Sequence, residues 1–388
     1  MATTSAPIDV DWMRRNVGID YAAGDGEPLT AAGGVAGTRV SRPKSPRELA
    51  REVIEFDSEG RAGEAFRSIA TAAPGGLSNF VDLKWPKGLE PRPGKRPQGE
   101  SLPKCDVLIV TWTVDEGHSL SRVLTPGFDS RDDWKPYTKN FATIGALMRK
   151  GCPALKLGRL GTYWTTRIGE QRVTLFKSDS HLSQDGPQLP NAMVWKQIIQ
   201  DCSPKWVITT GTGGGIGPQF VVGDVIVSRF VSFDCQRQFK KLNGVSFASA
   251  TDPPRKRFRK AESLFEFNAG FLPPGNKRPP QIVRSATPAS GILTTDFFGF
   301  DNSDNTYGLQ GKGDLSEMGD AVLGMVCRDL GPKAPAYTIV RNVSDPEIAS
   351  AGQTIRQQTK QAADIYKAYG RWSSVCSSIV SWAIVAGL

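Results

Sequence analysis

The sequence predicts an α/β domain, and three stretches carry that expectation. Asp106 to Val110 is a short apolar strand that turns over Thr111 to Asp115 and opens a helix near Glu116. Pro190 to Cys202 sets Met193, Val194, Trp195, Ile198 and Ile199 close to helical spacing, and the β-branched strand Trp206 to Thr210 follows directly. Tyr337 to Asp345 repeats the apolar strand pattern, ahead of one or two closing helices over residues 352 to 386. Strands alternating with helices are the pattern of a sheet covered by helices.

Composition sets the bounds. The chain has 388 residues, enough for two domains or for one α/β domain with extensions. Hydrophobic residues make up 39%, so a sizeable core can be buried. No apolar run reaches the roughly 18 residues that span a bilayer, and Ile379 to Leu388 reads as a packed helix end. The first residues, MATTSAPIDVDWMRRN, lack the apolar core of a signal peptide, so a cytoplasmic protein is expected. Cys105, Cys152, Cys202, Cys235, Cys327 and Cys376 are widely spaced, and His118 and His181 stand apart from them. That pattern suits buried thiols and implies neither a metal site nor a disulfide framework. The net charge of +9 fits an anionic small substrate, nucleic acid, or solubility alone. Its densest run, Arg255 to Lys260, sits among Pro253, Pro254, Pro273 and Pro274 and reads as a solvated loop.

In chain order, residues 1–100 read as an N-terminal extension with no catalytic signature. Ser45 to Ile54 is a helix candidate, with Ser45 and Glu48 as a capping box, and Arg61 to Ala73 is another. Pro86 to Gln98 reads as a linker or wrapping arm. The domain proper is expected over residues 101–388, with insertions near 125–160 and 234–282. The first holds Trp134, Tyr137 and Phe141 and suits a pocket wall or an interface; the second is basic and Pro-rich and is able to lid a site. Arg159 to Phe176 reads as a hairpin around Ile168-Gly169-Glu170-Gln171. In the following Ser178-Asp179-Ser180-His181, the lone His181 suits a surface or turn role. Val283 to Thr294 returns to the core, and Ser316 to Leu330 reads as an amphipathic helix.

The stretch from Trp206 to Ser228 organises the rest. An apolar strand runs into a loop carrying Gly211, Gly213, Gly214, Gly215 and Gly217, where glycines admit close backbone approach. A dinucleotide fingerprint would put a third glycine at Ile216 and a helix next, and a P-loop would end in Gly-Lys-Ser/Thr. This chain has neither; it turns at Val221-Val222-Gly223-Asp224 into a second strand, Val225 to Ser228.

The segment TTGTGGGIGPQFVVGDVIVS resembles the centre of the nucleoside phosphorylase and methylthioadenosine nucleosidase superfamily. Other motifs appear in that family's order. Glu116 opens the first helix after the first strand; Thr295-Asp296-Phe297-Phe298 is similar to a strand ending in G-D-x-F; Glu317-Met318 matches the start of E-M-E; Arg341 to Asp345 matches R-x-x-S-D. The resemblance covers Cys105 to the C-terminus. It implies a three-layer α/β/α fold around a mixed, partly closed central sheet, and a homo-oligomer. It also implies a purine nucleoside or nucleotide as ligand and no cofactor, with phosphate as co-substrate in a phosphorylase.

The resemblance assigns roles. Asp345 is the general acid at N7 of the base, and Glu116 activates the attacking water. Phe298 stacks on the purine, while Met318 packs beneath the sugar. Glu317, Asp320, Thr212, Gly213, Gly214, Ser178, Arg341 and Ser344 complete the expected binding set. Gly319 stands where the family has the glutamate that grips the ribose hydroxyls, with Asp320 one place later, about 100° round a helix. The Ser-Gly-x-Gly turn and the G-D-P-G-R of phosphorylases are absent, which favours water over phosphate as nucleophile. The alternatives are a phosphorylase, a sensor that binds a nucleotide without turnover, and nucleic-acid binding through the basic segments. No membrane partner is expected. In the residues themselves, Glu116 also suits a helix N-terminus favoured by the dipole, and Ser344-Asp345-Pro346 a helix N-cap.

Overall fold

The computed structural model describes residues 83–388, apart from 183–184, 266–271 and 274. The helix candidates at Ser45 to Ile54 and Arg61 to Ala73 lie outside the described residues.

The chain enters with β1 (Arg92–Pro93) and β2 (Val107–Thr111), then α1 (Val114–Leu124). Strand β3 (Lys135–Tyr137), the short helices α2 (Phe141–Gly145) and α3 (Pro153–Leu157), and the hairpin β4 (Gly161–Ile168) and β5 (Gln171–Ser178) follow. Next come α4 (Pro190–Cys202), β6 (Trp206–Gly215), β7 (Val225–Ser228), β8 (Phe230–Phe233) and β9 (Ser246–Ala248). Helix α5 (Phe258–Ser263) precedes β10 (Ile282–Arg284), β11 (Ile292–Thr294) and β12 (Leu315–Glu317). The chain closes with α6 (Asp320–Leu330), β13 (Ala336–Asp345) and the long α7 (Ile355–Val385).

Local rules explain most boundaries. Helix α1 starts on a capping box in which Thr113 accepts from the Glu116 backbone N–H and the Glu116 side chain accepts from the Thr113 N–H. The hairpin turns on Gly169, at φ +56°. Pro190 sits in the first turn of α4, where its missing N–H costs nothing. Thr354 and Gln357 box the start of α7, which is one helix of 31 residues.

One mixed sheet of 13 strands joins these elements among the described residues. Its hub is β6. Strand β13 runs parallel along it from Trp206 to Gly214, β2 pairs in parallel with Trp206 to Thr209, and β12 pairs antiparallel with Gly214 and Gly215. Alternation along β2 then builds the three layers. Val107 and Ile109 enter a core with Leu120 of α1, Ala261 of α5 and Ile379 of α7. Leu108 and Val110 enter a second core with Trp195 and Ile198 of α4 and Val322 of α6.

The glycine run differs from the sequence expectation. Gly211 to Gly215 stay in strand β6 rather than forming a loop. Close approach explains it: a Cβ on Gly213 would lie 2.6 Å from the Ser316 carbonyl oxygen, and one on Gly211 would lie 2.5 Å from the Glu116 carboxyl carbon. The glycines let β12 and a carboxylate press against the strand.

The C-terminal half of α7 is buried, and its serines return their hydroxyls to the helix, as Ser378 does to the Ser374 carbonyl. The segment before β1 covers this helix. Trp85 packs on Trp382 with ring centroids 4.5 Å apart, and Trp382 Nε1 donates to the Leu89 carbonyl at 2.7 Å. Part of the basic run is helical in α5, because Ala261, Leu264 and Phe265 bury into the same core. No helix among the described residues is long and apolar enough to cross a membrane.

Candidate active site

The parallel strands β2, β6 and β13 deliver their carboxyl ends to one cavity, the usual place for a ligand in an α/β sheet. The turn from β12 to α6 supplies Glu317 and Met318, and the segment after β11 supplies Thr295 and Phe298. Trp112, His181 and, from α7, Tyr366 complete much of the wall.

At one pole Glu116 is saturated. Its Oε2 accepts from Thr111 Oγ1 at 2.9 Å, Trp112 N at 3.0 Å and Thr113 N at 2.9 Å. Its Oε1 accepts from Thr212 N at 2.6 Å and Thr212 Oγ1 at 2.8 Å. Burial pushes this carboxyl up, but the Arg341 charge and the backbone donors outweigh it and hold the group below its usual range.

Arg341 ties three carboxylates together. It forks onto Asp320 (Nε–Oδ2 2.8 Å, Nη2–Oδ1 2.7 Å), reaches Glu317 Oε2 at 3.3 Å, and lies 3.7 Å from Glu116 Oε1. Its guanidinium also stacks 4.5 Å from the Trp112 ring centroid. Glu317 Oε1 accepts from Thr294 Oγ1 and, at 2.9 Å, from Asp320 N. Burial, and then the like charge of Asp320, raises the Glu317 carboxyl to about 8. Around one arginine, then, burial and Asp320 push the Glu317 carboxyl up, while Arg341 and the backbone donors hold Glu116 down.

The opposite pole is Asp345, at the end of β13 beyond a register shift. Ser344 Oγ donates to its Oδ1 at 2.7 Å, whereas its Oδ2 is buried with no hydrogen-bond partner among the described residues. Burial raises this carboxyl to about 7, against the pull of the Ser344 bond. A buried acceptor left unpaired is costly, and here it lies in a cavity wall.

Most of the sequence-predicted residues meet here. Glu116, Thr212, Gly213, Gly214, Phe298, Glu317, Met318, Arg341, Ser344 and Asp345 all line the cavity. Two do not. Ser178 Oγ donates to the Ser180 carbonyl at 2.7 Å and accepts from its N–H at 3.2 Å, so the hydroxyl serves its own turn. Asp320 lies behind the wall with its carboxylate given to Arg341. Helix α6 starts at Asp320 with Gly319 as N-cap, because Ser316 and Glu317 are drawn into strand β12.

Other expectations change for packing reasons. His181 faces the cavity rather than the surface, and burial lowers its imidazole to about 4, leaving it neutral. No residue of 125–160 lines the cavity: Lys135 to Tyr137 extend the sheet beside β4, and the Tyr137 hydroxyl donates to Asp201. No described residue of 234–282 lines it either, since α5 packs on α7. No helix begins at Asp345, which ends a strand. Trp112 was open to detection, standing at the end of a strand four residues before Glu116; Tyr366, on a distant helix, carried no such signal. Among the described residues no group of three His, Cys, Asp or Glu is arranged to hold a metal ion.

Among curated proteins none matches the sequence. The chain is similar to the crystal structure of 5′-methylthioadenosine/S-adenosylhomocysteine nucleosidase from Neisseria meningitidis in complex with methylthio-immucillin-A. Identity is 16%, coverage 73% of this chain and 100% of that one, and the TM-score 0.45. It is also similar to futalosine hydrolase of Helicobacter pylori, at 11% identity, 72% and 96% coverage and a TM-score of 0.43. Residues 138–370 match the family described as the phosphorylase superfamily. With more than half of its length inside that match, the chain belongs to the phosphorylase superfamily, whose members are N-glycosyl hydrolases and phosphorylases.

Proposed function

We propose that this protein hydrolyses the N-glycosidic bond of a purine nucleoside or nucleotide, releasing free base and ribose or ribose phosphate. The observation that carries the reading is Asp345 Oδ2, buried in the cavity wall with no partner among the described residues. A carboxyl raised to about 7 keeps a proton near neutrality and has an open direction in which to give it. In this reading the base lies between Phe298 and Asp345, which both line the cavity, with its N7 toward that proton. As the C1′–N9 bond breaks, its electron pair goes to the base, and Asp345 protonates or hydrogen-bonds N7. The sugar passes through an oxocarbenium-like state. Water attacks C1′ from the opposite side and loses its proton toward Glu116. That carboxylate is ionised at working pH, and Thr212 Oγ1 is the rotatable donor that can yield its place to the water.

Phosphorolysis is the less favoured reading. Arg341 is the sole arginine or lysine lining the cavity among the described residues, and it is committed to three carboxylates. A phosphate needs several free convergent donors.

The test is a panel of purine nucleosides and 5′-nucleotides, with and without phosphate, scored by free base. Release without phosphate is expected, falling about 100- to 10,000-fold in Asp345→Asn. Strict phosphate dependence would make the protein a phosphorylase. Saturable binding without release would make it a sensor.

A further inference from the structure

Resting on that reading, we propose that the sugar side of the cavity selects 2′-deoxyribosides over ribosides. A ribose presents two neighbouring hydroxyl donors, which a carboxylate with free lone pairs is best suited to take. Every carboxylate on this side is already committed, and the one place that can open, on Glu116 where Thr212 Oγ1 yields, goes to the attacking water. Glu116 accepts five hydrogen bonds on about four lone-pair sites. Glu317 accepts from Thr294, the Asp320 N–H and Arg341, and Asp320 is forked by Arg341 behind the wall. Asp345 stands at the other pole, toward the base. The hydroxyls of Thr212 and Ser316 give their protons to Glu116 and to the Gly299 carbonyl, and their oxygens are weaker acceptors than a carboxylate.

The position that could supply the missing acceptor is Gly319, and its bareness is not imposed by the fold. Its φ of −175° is extended backbone open to any residue. A Cβ there would meet only the Trp112 ring, at 3.4 to 3.6 Å, which is ordinary contact. A side chain at 319 would run along the indole that walls the cavity. As the N-cap of α6 the site even favours an acid over glycine through the helix dipole. Beside position 319 the cavity wall is formed by Trp112 and Met318. A deoxyriboside suits that surface. Without the electron-withdrawing 2′-hydroxyl its oxocarbenium forms more readily, so turnover survives the loss of sugar contacts.

The experiment compares adenosine, inosine and guanosine with their 2′-deoxy counterparts on the full chain and on Gly319→Glu. Deoxyribosides are intrinsically more labile, so the readouts are the change in the kcat/KM ratio and equilibrium binding of the same pairs. A wild-type preference of at least ~10-fold for the deoxyriboside is expected, with tighter binding, and Gly319→Glu should narrow the ratio by about tenfold. A wild-type ratio near one, or a ratio that Gly319→Glu leaves unchanged, overturns the proposal. Should that variant fail to fold, the wild-type binding pair decides alone: deoxyriboside tighter upholds the proposal, equal or weaker overturns it. If wild type releases base from neither sugar, the hydrolytic reading fails, and the sugar proposal is judged on the same binding pair.

Discussion

The two poles of the cavity hold carboxyl groups that are equally buried and opposite in behaviour. Glu116 is pressed into the ends of β2 and β6 and accepts five hydrogen bonds; Asp345 ends β13 and accepts one. Desolvation pushes both upward. Only at Glu116 do backbone donors and the Arg341 charge overcome it. Burial alone therefore does not assign a carboxyl its role. The number of donors aimed at it does, and that number is set by where each strand stops.

The sharpest way to break this contrast is Asp345→Asn. Its folded value is raised, so the native state holds a proton that the unfolded chain gives up earlier. The contribution of Asp345 to stability should be greatest below the ordinary value of 3.8 and fall as pH rises through about 7. Removing the carboxyl should remove that fall, making the variant more stable above pH 7 by a few kcal/mol, as read by thermal melts across pH. The wild-type rate should carry an alkaline limb near 7, where the acid loses its proton. A wild-type rate flat from pH 6 to 9 would remove Asp345 from the acid role.

Glu116→Gln should act in the opposite sense. The depressed carboxyl contributes stability that is present above its unfolded value of about 4.5. That stability is lost as pH falls through the lower folded value. The variant should lose this dependence and about 3 kcal/mol at pH 7, because Arg341 keeps a buried charge with one partner fewer. Chemical denaturation at pH 7 and at acid pH would measure both; an unchanged midpoint would mean that the five hydrogen bonds contribute little.

The smallest expected effect is Ser344→Ala, which removes the one donor to Asp345. The alkaline limb should move upward by about half a unit to one unit, since one hydrogen bond is worth about 1 kcal/mol. A downward shift would contradict the direction of that bond.

Local pattern made much of this legible. The strand at Trp206, the helix from Pro190 to Cys202, the hairpin around Gly169 and the strand into Asp345 all follow from periodicity and turn chemistry. Glu116 was legible twice over, because one residue is both the N3 acid of a capping box and a cavity wall. The misses share a cause. Glycines at 211–215 satisfy a loop as well as a strand whose neighbours press too close for a Cβ. Ser178 and Asp320 were assigned by motif position and His181 to a surface or turn role as a lone histidine, and which of them reaches the cavity depends on tertiary partners such as Ser180 and Arg341.

The sequence by itself determined the layers of this protein, because alternation and helical spacing decide which face each residue buries. It also determined which carboxyls are available at the strand ends. Only the tertiary structure decided their protonation and freedom. Carboxylates from two distant segments, Glu116 and the Glu317–Asp320 turn, converge on Arg341, and Tyr366 reaches the cavity from a helix that begins after the last strand. Charge and desolvation act through space, across separations of 21 residues (Asp320 to Arg341) to 225 (Glu116 to Arg341) along the chain, and no local pattern encodes that sum.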